Sequence, residues 1–583
     1  MISTIDRRAM MTGLAAASTV APIGRALARA KPGAPDLGSN VLVVDPTMPA
    51  DLVQRRLDAI FAAMERGEFS EERHAILFKP GHYACDVNVG FYTQVAGLGP
   101  LPDDVSIAGH VHAEADWNNG MALVNFWRGV ENLSVRPPDG LDRWAVSQAS
   151  PYRRVHLIGD LALDDGGWSS GGFIADCLID GTIRSGTQQQ WFTRSSGIGG
   201  WRGSNWNMMF AGVNGAPPSS FPEPPITTLP DAPVVREKPF LQIDAQGDWS
   251  VRVPPLRRDT CGPSWTAAPP GRTIPLSRFL IARPGMSAAF INAALARGRH
   301  LLLTPGIYPL AEPIRVTRAG TVVLGLGLAT LRPEKGLAAL SVADVPGVSI
   351  AGLLLDAGEQ LSPVLMQVGS LGSTQDHGAS PTLLADIFFR VGGARVGKAI
   401  TALEINSRHV IGDHLWVWRA DHGDRRHGHV HVGWDESVAD QGLVVNGDDV
   451  TMYGLFVEHF RHDNVLWNGE RGRTYFFQNE LPYDPPSQAA YRAGGAQDWA
   501  AYRVAGRVRD HRAVGLGIYA NFTADPSIVV PSAIVAPKTP GVSFTNVTTI
   551  SLGTGKGTIA HLVNDAGDAA RPGAIRQTLR HYP

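Results

Sequence analysis

Glu458 and Glu480 lie 22 residues apart in a stretch, Asn446 to Asp484, that is rich in groups able to handle protons. It contains Asn446-Gly447-Asp448-Asp449, Val457-Glu458-His459-Phe460, Leu466-Trp467-Asn468-Gly469-Glu470-Arg471 and Phe477-Gln478-Asn479-Glu480-Leu481-Pro482-Tyr483-Asp484. Two neighbouring carboxyl groups repel each other's charge, so one is pushed to keep its proton while the other stays ionised. One can then donate a proton to a leaving oxygen while the other helps hold a water, which is the acid–base chemistry of glycosidic-bond hydrolysis. The remaining acids have plainer readings: Asp448-Asp449 after Asn-Gly is a turn, and Glu470-Arg471 a local ion pair. Trp467 and Asn468, beside the acid pair in sequence, are candidate substrate-binding residues.

A spacing of 22 residues matters because it is one coil of a parallel β-helix. Coils of about 20 to 25 residues stack equivalent positions about 4.7 to 4.9 Å apart at the backbone. The chain carries that grammar twice. Val43-Val44-Asp45-Pro46, a helical run from Leu52 to Met64, Ala75 to Tyr83 with its Pro80-Gly81 corner, and Val95-Ala96-Gly97-Leu98-Gly99 recur in order. The second copies are Leu280 to Pro284, Phe290 to Ala296, Leu301 to Tyr308 with Pro305-Gly306, and Val323-Leu324-Gly325-Leu326-Gly327. Tandem homologous modules follow. Short apolar runs then alternate with Gly, Asn or Asp corners, and 65 Gly and 42 Pro in 583 residues exceed ordinary usage of roughly 7% and 5%. An immunoglobulin-like or propeller fold offers as many short strands, but the helix-then-Pro-Gly caps count against it. The expectation is an all-β protein of two tandem parallel β-helix domains, spanning 36–270 and 271–583, with the acids in the second.

Net charge of −2 offers no electrostatic footprint for nucleic acid or an anionic membrane. Fourteen Trp, eleven Tyr and twenty Phe suit a partner with sugar rings to stack upon. Residues 1–30 read as an export signal: Arg7-Arg8, an apolar, Ala-rich run from Met10 to Ile23, then Ala26-Leu27-Ala28 as a cleavage site. The paired arginines favour the twin-arginine route, and the expected location is the periplasm or outside the cell. The apolar run falls short of the roughly 20 residues that a membrane span needs. Cys85, Cys177 and Cys261 allow one disulfide at most. His110-Val111-His112 and His427-Gly428-His429-Val430-His431 alternate as strand positions do and lack ligand partners at recognised spacing, so no metal site is expected. Gly97-Leu98-Gly99 and Gly325-Leu326-Gly327 are coil corners rather than phosphate loops, and no cofactor is expected.

Several longer motifs carry a resemblance. Gly172-Phe173-Ile174-Ala175-Asp176, Gly186-Thr187-Gln188-Gln189-Gln190-Trp191, Val235-Arg236-Glu237-Lys238-Pro239-Phe240-Leu241, Phe456 to Phe460, Trp467 to Gly472 and Gln478 to Pro486 closely resemble the bacterial laminarinases of glycoside hydrolase family 55. The likeness runs from about Val41 to about Asn564. It implies two right-handed β-helices side by side like a rib cage, a cleft where they meet, and exo-acting, inverting hydrolysis of β-1,3-glucan that releases glucose from the non-reducing end. It further implies that Glu480 is the general acid and Glu458 helps hold the nucleophilic water. A Gln and a Ser of the first module assist. The Gln is expected within Gln188-Gln189-Gln190, with Trp191 beside it as a substrate-binding candidate. At the position aligned with the Ser, this chain has Ala211, and Ser204 is the nearest earlier hydroxyl. The expected partner is β-1,3-glucan acted on by a monomer. The competing readings are a polysaccharide lyase, which needs a Lys or Arg base and usually calcium carboxylates, and a non-catalytic glycan-binding β-helix.

Overall fold

The repeated Pro-Gly corner does the same work in both copies. Gly81 and Gly306 sit at φ +152° and +147°, and a Cβ on either would meet Pro46 at 2.8 Å or Pro284 at 2.3 Å, so only glycine fits against that proline. The tyrosine two residues on then locks each corner: Tyr83 Oη donates to Val44 O and Lys79 O (3.2 and 2.7 Å), and Tyr308 Oη to Ala282 O and Thr304 O (2.8 and 2.9 Å). The expected helices form at Ala50–Met64 and Ala288–Ala296, the second with Ser287 Oγ accepting from Phe290 N at its start.

The computed structural model describes residues 34–583 except 267–270, 425–429, 493–497 and 554–555. The expected export segment 1–30, and His427 and His429, lie outside the described residues. No described helix is long and apolar enough to cross a membrane. The protein is all-β apart from short helices. In the C-terminal half the chain alternates between a twelve-stranded and a nine-stranded sheet, adding one parallel strand to each on most circuits. Val410–Arg419, Thr451–Glu458, Gly472–Glu480 and His511–Ala520 are consecutive neighbours in the larger sheet. The N-terminal half stacks Val41–Val44, His74–Phe78, Thr93–Gly97 and their successors, ending at Ile226–Leu229. The stretch read as the end of the first module departs from this pattern: Ala232–Arg236 pairs antiparallel with Leu256–Thr260, and Trp249–Val253 with both Phe240–Ile243 and Arg272–Pro275.

Each half has its own apolar interior, and a third cluster, containing Trp127, Phe173, Phe192, Trp416, Trp418 and Phe456, joins them. Contacts along this seam advance coil by coil. Gly327 N donates to Gln94 Oε1 (2.7 Å), Asn207 Nδ2 to Gly515 O (3.1 Å) and Asn546 Nδ2 to Thr227 Oγ1 (2.9 Å). Facing the seam, each coil's strand is broken by one left-handed residue: Gly352, Asp386, His414, Gly454, Phe476 and Gly515 in the C-terminal half, and Asn132, Arg154, Asp176 and Ser195 in the other. The left-handed residue bends the strand and re-aims the side chains around it, while pairing on either side stays one to one. Beside these bends lies a buried ionic cluster. Arg153 binds Asp386 and Asp413, and Arg194 binds Asp413 and Glu237, all at 2.6 to 3.0 Å.

His110 and His112 face carboxylates. His112 lies 3.1 Å from both Asp86 and Glu114, and His110 lies 3.6 Å from Asp142. Burial disfavours the charged His112 ring, but the two carboxylates outweigh it and raise its pKa to about 9. A pKa raised on folding stabilises the protein fully below the ordinary value near 6.5, and that contribution disappears as pH rises through about 9. His112→Gln is therefore expected to lower the thermal midpoint at pH 6 while leaving it nearly unchanged at pH 10, as read by circular dichroism at both pH values.

Candidate active site

Glu458 and Glu480 are direct register partners on adjacent parallel strands, as their spacing predicts. Trp418 precedes Glu458 in the same column, and Tyr519 follows Glu480. Glu458 is buried against the seam. Its Oε1 accepts from Gln148 Nε2 at 3.0 Å, a residue of the other half, and its Oε2 accepts from Trp416 Nε1 at 2.8 Å. Glu480 is 17% exposed, so it alone of the pair has an opening toward solvent. Tyr483 Oη hydrogen-bonds Glu480 Oε2, and His459 Nε2 stands 4.0 Å from the same oxygen. The loop bearing Tyr483 is anchored by Arg419, which donates to both oxygens of Asp484 at 2.9 and 2.7 Å.

Burial raises the pKa of both acids, and Glu480's charge raises that of Glu458 further. Two coupled carboxyls titrate as a pair. Their hydrogen-bond partners differ. Both oxygens of Glu458 face N–H groups that can only donate, which favours its carboxylate form, whereas the Tyr483 hydroxyl can accept from a protonated Glu480. Hydrogen bonding from Trp416 thus opposes the rise at Glu458, and that from Tyr483 opposes the rise at Glu480, while both pKa values stay above the ordinary carboxylate value.

The glutamine brought to the acids is Gln148, which differs from the expectation of Gln188 to Gln190. Gln188 is consumed by backbone: its Oε1 accepts from Gly171 N, and its Nε2 donates to Val146 O and Leu163 O. Gln189 is half-buried, its backbone tied to Ser169 and Trp206. Gln190 donates to Ser170 Oγ at 3.1 Å, and its Oε1 is buried with no protein partner. Ala211 pairs with Arg194 inside the seam. Ser170, which accepts from Gln190, lies next to Gly171, whose Cβ would stand 3.0 Å from Phe456 on the Glu458 strand. A signal for both was present: Gln148 and Ser170 are 22 residues apart, the same coil spacing as the two acids.

The substrate-binding candidates also move. Trp467 and Trp191 are wholly buried in the interiors of their own halves, where no sugar can reach them. Asn468 donates to Asn446 Oδ1 at 2.9 Å, and Asn446 to Asn406 Oδ1 at 2.8 Å, a ladder that braces coil corners. The aromatic groups that do surround the acids are Trp416, Trp418, Tyr483 and Tyr519, with half-buried Trp206 reaching across the seam to Tyr519 at 5.2 Å. No cluster of metal-ligating residues occurs among the described residues. Truncating Gln148 to Ala removes one charge-assisted hydrogen bond, of about 1.5 to 3 kcal/mol. It is expected to lower kcat about 10- to 100-fold with the melting temperature nearly unchanged, a comparison made by steady-state kinetics and calorimetry on the same preparation.

Fold and site together present a pair of buried carboxyl groups on a scaffold of stacked parallel strands. Residues 279–480 match the LAM55 pectate lyase-like domain. An exo-beta-1,3-glucanase of Streptomyces sp. (strain SirexAA-E / ActE) is 50% identical over 541 residues, 92% of this chain and 88% of that protein. The solved structure of sacteLam55A from Streptomyces sp. SirexAA-E superposes with a TM-score of 0.91 at 48% identity, covering 94% of this chain and 99% of that one. A variant of sacteLam55A in complex with glucose superposes with a TM-score of 0.90 at 47% identity and the same coverage. The chain belongs to glycoside hydrolase family 55.

Proposed function

We propose that this protein is an exo-acting glycoside hydrolase that cleaves β-1,3-glucan with inversion, releasing glucose from the non-reducing end. The observation that carries the reading is the Glu458–Glu480 pair, one acid enclosed by fixed donors and one opening to solvent. The name of the 50% identical Streptomyces relative and the glucose complex of its homologue support the substrate class.

In this mechanism Glu480 donates its proton to the glycosidic oxygen as the bond to the anomeric carbon breaks. Glu458, oriented by Gln148 and Trp416, holds a water on the opposite face and receives its proton as the new C–O bond forms. Inversion needs about 6.5 to 9.5 Å between the two carboxyl groups, more than the backbone spacing of neighbouring strands. The partners favour such a splay: Glu458 turns toward Trp416, on the preceding coil, and Glu480 toward Tyr483 in the following loop. Ser170 and the unpartnered Gln190 Oε1 supply further polar groups on the N-terminal side.

The architecture is read as two right-handed parallel β-helices side by side, 36–270 and 271–583, supported by the duplicated corners and the coil-by-coil seam. The protein is further read as an exported monomer, with residues 1–30 as the signal. The test of function is incubation with laminarin and reduced laminari-oligosaccharides, followed by proton NMR. Early α-glucose as the main product is expected. Early β-glucose would overturn inversion, unsaturated products would favour a lyase, and binding without any sugar release would overturn the enzyme reading.

A further inference from the structure

The general acid is bordered by a chain of charged groups that begins in the other half of the molecule. Glu68 follows the helix Ala50–Met64, and its Oε1 stands 2.6 Å from His422 Nε2. His422 Nδ1 is 2.9 Å from Asp421 Oδ1. Both ring nitrogens thus face carboxylate oxygens, which can only accept, so both donate and the ring is an imidazolium. Asp421 Oδ1 also accepts from Trp418 Nε1 at 3.3 Å and lies 3.7 Å from His459 Nε2, the nitrogen that faces Glu480. His459 Nδ1 donates to Leu481 O at 3.1 Å, which fixes the ring's orientation. The left-handed backbone of His459, φ +67°, turns this ring back beneath Glu480.

The chain is held at both ends. Tyr92 Oη donates to Glu68 O at 2.6 Å and accepts from Arg390 Nη1 at 2.6 Å, so the position of Glu68 is set by a residue of each half. The His422 ring packs against Phe69, Phe126 and Trp418, with centroids 5.9, 6.3 and 5.2 Å away. Aromatic walls exclude water from one side of these ion pairs and strengthen their influence on a nearby acid.

Taking Glu480 as the general acid, we infer that Glu68, Asp421 and His422 are positioning residues that set the charge around Glu480 through His459, so that docking of the N-terminal half completes the acid's environment. Among the described residues, the titratable groups facing Glu480 are Glu458 on the preceding coil, Tyr519 on the next, Tyr483, His459, Asp421 and His422. Those facing His422 are Glu68 and Asp421. Asp421's charge favours the protonated form of Glu480, and the cation of His422 offsets it. The two residues therefore act with opposite sign, which a purely structural brace does not.

The test is the pH dependence of kcat/KM on laminari-oligosaccharides for three variants. His422→Gln leaves Asp421 uncompensated and is expected to move the alkaline limb, where the general acid loses its proton, up by about half to one pH unit. Asp421→Asn is expected to move it down by a similar amount. His422→Lys keeps the cation and is expected to return the limb toward the wild type. KM should change little in all three. Limbs that stay in place, or move in the same direction in the first two variants, would overturn the inference. A direct titration of the Glu480 carboxyl by carbon NMR, in folded wild type and Glu68→Gln, reads the same property without turnover. A downward shift in that variant is expected, because the His422 cation loses one counter-charge, and no shift would overturn the inference. That measurement also separates this proposal from the glucanase reading, which fails only if the wild type releases no glucose.

Discussion

Replacing Glu480 with Gln is expected to lower kcat on laminari-oligosaccharides by about 10³-fold, within the 10²–10⁴ range of a positioned general acid. Gln keeps the shape and can still meet Tyr483 and Gln478, the groups around this carboxyl, so folding should be preserved. What it lacks is a transferable proton. The deficit should therefore depend on the leaving group: on an aryl glucoside whose phenolate needs no protonation, the loss is expected to shrink to about tenfold or less. Steady-state kinetics on both substrates give the comparison. Glu458→Gln is expected to cost less than Glu480→Gln on the oligosaccharide, because Gln148, its neighbour across the seam, remains to hold a water. Near-full activity of Glu480→Gln on the oligosaccharide would remove it from the acid's role and leave the dyad without a donor.

The second large effect is on stability. Asp413→Ala is expected to destabilise the fold by about 3 to 5 kcal/mol, the usual cost of breaking a buried ion pair by deleting one partner. Asp413 is 1% exposed and accepts from Arg194 Nε and Nη2 at 2.7 and 2.6 Å and from Arg153 Nη1 at 2.8 Å. Burial alone would lift its pKa, but the two guanidinium groups overcome this and hold the carboxyl below its ordinary value. Without it, two arginines remain in the seam with less than their full complement of acceptors, and neither can shed its charge. A fall in the urea midpoint, with the slope of the transition unchanged, is the expected reading. Because Arg153 and Arg194 come from the N-terminal half and Asp413 from the C-terminal half, activity should fall together with stability as Gln148 loses its hold on Glu458. A variant as stable and active as the wild type would show that the ionic cluster is dispensable to the seam.

Much of the site was readable in the residues. Coil length varies along the stack, since Val322 pairs with Ser349, Ile411 with Thr451 and Gly472 with His511, but the coil between Glu458 and Glu480 carries no insertion, so their pairing follows from counting, and the same count links Gln148 to Ser170. The Pro-Gly corners and their tyrosines likewise announce themselves, because proline and glycine carry their backbone preferences wherever they occur. Trp467 and Trp191 were misread for a physical reason. Trp467 lies on Val465–Trp467 of the nine-stranded sheet rather than on the sheet that carries the acids, and strand residues alternate between faces, so adjacency to an acid does not tell whether a ring faces cleft or core. Within the acids' sheet the left-handed positions are only partly marked: Gly352, Gly454 and Gly515 are glycines, but the same column holds Asp386, His414 and Phe476.

By itself, then, the sequence determined what is local or periodic: the repeated corners, their helical caps and the stacked acids. Only the tertiary structure decided what crosses the seam. Gln148 and Glu458 are separated by 310 residues, Arg153 and Asp386 by 233, and Glu68 and His422 by 354. No repeat links such positions, and their meeting depends on how two complete stacks dock, which buries apolar area non-directionally and leaves the choice of partners to shape and charge across the interface.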